Sequence, residues 1–129
     1  MKTLFTTLAS LTVLIFSGQL AAHHSFAAEF NADDPIDITG VVTKVEWMNP
    51  HTFFYVDVED DDGNYHNWAI ELGSPNGLAR RGWKRTSLQI GDIVSVTGSR
   101  ARDGSYKGNA RSVVLSSGDR LFNGANEEN

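Results

Sequence analysis

Two adjacent histidines, His23 and His24, and a third at His51 are the residues best suited by type and spacing to chemistry, and that chemistry is metal binding. The pair stands at the end of a stretch with the form of a cleavable secretion signal. Cleavage after Ala21 would leave Ala22-His23-His24 as the mature start. A histidine in third place joins the terminal amine and two deprotonated backbone amides in a square-planar nitrogen set, which suits copper(II) or nickel(II). Cleavage after Ala22 would make His23 the first residue. Its amine and imidazole then chelate one ion together, with a third nitrogen from another histidine.

His51 is the natural third nitrogen. In the second form the set resembles the histidine brace of copper oxygenases and copper carriers. Binding would follow processing, because the amine does not exist in the uncut chain. The plainer reading is a polar N-terminus shaped for cleavage, with His51 closing a turn.

The signal itself is well formed. Lys2 supplies the positive start, Leu4 to Phe16 is mostly apolar and uncharged, and Ser17 to Ala22 is mostly small. The run is shorter than the roughly 20 residues of a membrane span. Residues 1–22 are therefore expected to be a signal peptide, and the mature protein periplasmic or secreted, with no membrane span. The full chain has 129 residues and a net charge of −5, more negative by one when Lys2 is removed. An acidic domain is a poor binder of nucleic acid, whose affinity rests on neutralised phosphates. There is no cysteine, so disulfides and thiolate metal sites are excluded.

The elements that must position these residues read mostly as strands. Residues 23–35 form an expected N-terminal arm, anchored by Phe26 and Phe30 and ended by Asn31-Ala32-Asp33-Asp34-Pro35. A domain follows over 36–122. Ile36 to Trp47 is rich in β-branched residues, and Gly40 within it signals a bulge or bend. Met48-Asn49-Pro50 turns the chain. His51 to Glu59 and Tyr65 to Leu72 form a hairpin about the Asp-rich loop 60–64. Ser74-Pro75 opens a short helix, with serine as cap and proline in its first turn, and Gly82 stops it. Two further strands, Ile93 to Arg100 and Lys107 to Leu115, flank a turn at Arg102 to Ser105. Arg120 to Phe122 is a short extra segment, and 123–129 is expected to be a flexible tail.

Three strands, a helix and two strands predict an all-β protein with one short helix: a small five-stranded OB-like Greek-key barrel. An open β-sandwich is the alternative. Pairing about the 60–64 loop should set Phe54 opposite Glu71 and His51 opposite about Ser74. Trp47, Asn49, His51, Glu71, Ser74 and Asn76 would then gather at one end, as a ligand or surface site that the arm can reach. The calcium-like run Asp60, Asp61, Asp62, Asn64 lacks the flanking helices of a calcium loop, standing between two strand-like runs, and reads as a solvated hairpin. His66 beside it reads as a surface residue. Trp47, Trp68 and Trp83 read as core or rim aromatics, with a ligand platform on the barrel face as the alternative, and Arg80, Arg81, Lys84 and Arg85 as solvated charges.

Nucleophilic catalysis has little support. There is no cysteine and no Gly-x-Ser-x-Gly elbow, and Ser74 is explained as a cap. The leading expectation is a non-enzymatic exported binding protein with copper(II) at His23, His24 and His51. A metal-free module for a peptide, sugar or protein partner is the second reading, and a copper oxidoreductase the third.

Five stretches carry a resemblance: Ala22-His23-His24-Ser25-Phe26, Val45 to His51, Trp68 to Asn76, Arg81-Gly82-Trp83 and Gly108 to Val113. With these the chain resembles a family of small exported bacterial proteins catalogued as a domain of unknown function. The resemblance implies export and a small β-barrel-like domain, and it supplies no activity.

Overall fold

A computed structural model describes residues 26–124. Residues 26–29 are helical and lead directly into β1 (Phe30–Glu46). Then follow β2 (Phe53–Glu59), β3 (Tyr65–Glu71), the helix Pro75–Arg80, β4 (Ile93–Ala101), β5 (Lys107–Val114) and β6 (Arg120–Phe122). The sheet runs β3-β2-β1-β4-β5-β6, and a parallel pairing of β3 with β5 closes the first five strands into a ring. This is the OB-like order expected from the sequence, with β6 added at the edge of β5.

β1 is long because it serves two partners. Residues 30–41 pair with β4 and residues 41–46 with β2, and Val41 faces Asp57 on one side and Ile93 on the other. Gly40 sits where the strand must bend between them. A Cβ there would lie 2.4 Å from the Asp57 carbonyl oxygen, a backbone atom, so only glycine lets the strands approach. The ladder to β2 shifts between Val42 and Lys44, so the irregularity lies just beyond Gly40, which itself pairs with Val94.

β1 begins six residues earlier than Ile36. Phe30 pairs with Ala101 and Asn31 with Arg100, and the ladder resumes at Pro35 opposite Ser99. The turn-forming run Asn31 to Asp34 is thus a bulge within a strand rather than the end of an arm. Proline is tolerated beside it because a bulge relieves the ladder of a donor. At the other end Asn123 is not loose tail. Its side-chain oxygen accepts from Gly73 N at 2.6 Å and its amide donates to Ala110 O at 2.8 Å.

Alternation along each strand sends one face inward. Val42, Phe54, Val56, Ile70, Val96 and Val113 fill the ring and are at most 1% exposed. At roughly 1.5–3 kcal/mol for each large apolar side chain buried, these residues supply the main drive to close it. Leu78 of the helix and Trp83 after it pack on the same cluster. Ser74 caps that helix as expected, accepting from Gly77 N at 3.2 Å. Trp83 donates from Nε1 to the Phe122 carbonyl at 2.9 Å, fastening β6. No helix among the described residues is long and apolar enough to cross a membrane.

Candidate functional site

The hairpin β2–β3 decides where the site lies. Asp60 N donates to the Asn64 carbonyl, so Glu59 faces Tyr65 and the register runs from there. Phe53, not Phe54, stands opposite Glu71. The one-residue difference matters, because it turns Glu71 to the face of Phe53 and away from the core side occupied by Phe54. Beyond the strand, Thr52 exchanges backbone bonds with Leu72 and Gly73. His51 lies just before β2 and reaches Glu71 with its Nδ1, 2.7 Å from Oε1. The Glu71 side chain is 8% exposed and that of His51 50%.

This pair borders a cavity of about 320 Å³. Phe26 and Phe30 form an aromatic wall, their ring centroids 5.5 Å apart and tilted by 33°. Glu29, Asn109 and Asn123 complete the polar lining. Glu29 is paired with Lys107, whose ammonium stands 5.7 Å from the Phe30 ring centroid. β5 brings Asn109 here through its parallel register with Glu71. Burial pushes the Glu71 carboxyl above its ordinary 4.5; His51 opposes that rise, Glu29 adds to it, and Lys107 opposes it again.

The sequence reading places His51 and Glu71 together, and they are together. Trp47 follows Glu46, which pairs with Phe53, so it shares this end, but it packs against the core cluster. Asn49 and Asn76 are exposed and do not line the cavity. Ser74 is spent on the helix cap. His23 and His24 lie outside the described residues, as do the signal region and residues 125–129. Glu29, Asn109, Asn123 and Lys107 escape sequence reading because strand pairings far apart in the chain bring them in. Phe26 had a local signal, an apolar anchor next to the histidines.

Among the described residues no three His, Asp or Glu side chains gather tightly enough to hold a metal ion. His51 and Glu71 therefore need donors from elsewhere to make a metal centre. The bond to Glu71 occupies Nδ1 and leaves Nε2 as the second nitrogen. A histidine held by a carboxylate in this way is the arrangement that fixes the tautomer of a metal-ligating imidazole and raises its basicity.

At the other end of the hairpin, the acidic loop is a self-contained turn. Asp60 Oδ1 accepts from Asp62 N at 3.0 Å and Asn64 N at 2.8 Å, and Oδ2 lies 2.7 Å from His66 Nε2. These bonds hold the Asp60 carboxyl below its ordinary range, the Asn64 amide contributing most. His66 is half-buried rather than a free surface residue, stacked on Tyr106 at 4.2 Å.

A family model described as "Family of unknown function (DUF6152)" matches residues 11–110. The chain belongs to that family. The matched span holds His23, His24, His51 and Glu71, and it ends within β5. No curated protein matches the chain.

Proposed function

We infer that the protein is an exported binding protein that holds one copper(II) ion through nitrogen donors at its processed N-terminus and at His51. The observation that carries this reading is the His51–Glu71 pair at 2.7 Å. A half-exposed imidazole anchored by a buried carboxylate is organised as a ligand before any ion arrives. Two features support the other half of the donor set. Phe26 lines the cavity beside His51, and His24 precedes it by two residues. At about 3.3–3.6 Å per residue two residues span at most roughly 7 Å, so a ligand two positions before Phe26 is within chain reach of the cavity that Phe26 lines. The absence of cysteine leaves nitrogen and oxygen donors, which suits copper(II).

Titration of signal-processed protein with copper(II), followed by electron paramagnetic resonance, tests the reading. One equivalent should bind with nitrogen hyperfine structure. A tag that moves the free amine away should weaken binding. Replacing His24 should abolish the site if the chain starts at Ala22, and replacing His23 or His51 should weaken it most if it starts at His23. Affinity should fall below about pH 6, as protons compete for imidazoles of reference pKa ~6.5. Equal, weak affinities for native and tagged protein would remove the N-terminal site. So would triple replacement of His23, His24 and His51 without effect.

A further inference from the structure

The cavity beside His51 has a ligand chemistry of its own, which it offers when no ion is held at His51. Its buried charge is the Glu71 carboxylate, 8% exposed, and its wall is the Phe26–Phe30 pair. A carboxylate has acceptor capacity for several donors, so the bond to His51 leaves room for another. Lys107, the nearby cation, is engaged by Glu29. A buried anion that has surrendered its water is stabilised most by a cation brought to hydrogen-bonding distance. Phe26 is 38% exposed and offers an open aromatic surface next to that anion.

We propose that this cavity binds a small organic cation: a primary amine on an apolar body, its ammonium donating to Glu71 and its body lying on Phe26 and Phe30. The fold already holds one such arrangement next door, where the Lys107 ammonium meets the Glu29 carboxylate and stands over the Phe30 ring. Both halves of that arrangement, carboxylate and aromatic face, recur in Glu71 and Phe26. The size fits as well, since about 320 Å³ lies at the small end of ligand sites. The acidic balance of the chain favours approach of a cation.

The test uses signal-processed, chelator-treated protein and calorimetric titration with 2-phenylethylamine. The neutral 2-phenylethanol and the anionic phenylacetate are the comparison ligands. The amine should bind and the other two should bind at least about tenfold more weakly, as expected for one charge-assisted hydrogen bond. Glu71→Gln should lower amine affinity by about tenfold, and Phe26→Ala should weaken it too. Circular dichroism identifies a Glu71→Gln protein that has failed to fold, in which case Phe26→Ala decides alone. Equal binding of amine and alcohol, no amine binding at millimolar concentration, or unchanged affinity in the folded variants would overturn the proposal. Copper titration of the same preparation is a separate readout. Copper bound without amine binding defeats the cavity proposal only, and amine bound without copper defeats the metal reading only.

Discussion

Glu71 is a carboxyl group folded into a place that disfavours its charge, and that has a direct consequence for stability. Its folded pKa lies above 4.5, chiefly because burial strips the charged form of water. The folded state therefore holds its proton at a pH where the unfolded state has lost it. Stability falls as pH rises from about 4.5 through the raised pKa. In chelator-treated protein, urea midpoints should show this decline in the native chain and a smaller one in Glu71→Gln. An identical pH profile in the two proteins would remove the electrostatic argument. The His51–Glu71 meeting was legible from the hairpin alone, since both residues flank one turn and a register follows from it. The register was one residue out because the loop 60–64 closes with Glu59 opposite Tyr65, and residue-level turn closure is not written in composition. Glu29 and Asn109 were illegible for a different reason: their neighbours are set by pairings between strands far apart in sequence.

At the level of elements, β1 shows how a local signal can be right and its neighbour misleading. Gly40 signals an irregularity, and the structure has a close backbone approach at that residue and a ladder shift just beyond it. Gly40→Ala should destabilise the protein by about 1–3 kcal/mol, because the added methyl meets a backbone carbonyl oxygen that cannot turn aside. Chemical denaturation measures it, and a change within about 0.5 kcal/mol, the usual range of innocuous surface substitutions, would show that the strands can separate at little cost. The run Asn31 to Pro35 carried turn residues, yet the chain continues as strand on both sides. Turn propensity was overruled there by the ladder to β4 and by Phe30, which is 2% exposed. The helix by contrast was readable to its cap, since Ser74-Pro75 and Gly82 act within a few residues of each other.

For the whole molecule, closure depends on contacts that join distant segments. Asn123 is one of them, bonded to Gly73 before the helix and to Ala110 in β5. Asn123→Ala removes both bonds and should cost about 1–3 kcal/mol, much of it from the Gly73 amide left without its acceptor. An unchanged thermal midpoint would show that water replaces the side chain. The five-strand order was recoverable from the element sequence, whereas the sixth strand was visible only as a short apolar segment. The length of β1 also has a temporal side. Residues 30–40 pair with β4 alone, while residues 41–46 pair with β2, the next strand to be made. A chain growing from its N-terminus can zip the second half of β1 into the β2–β3 meander early. The first half waits, an open seam, until Ile93–Ala101 has emerged. Pulse-labelling hydrogen exchange during refolding should accordingly find the amides of 36–40 protected after those of 53–58, and the reverse order would show that β4 docks first. The clock of assembly thus runs against the order of the chain, and the stretch nearest the histidines is among the last to be locked.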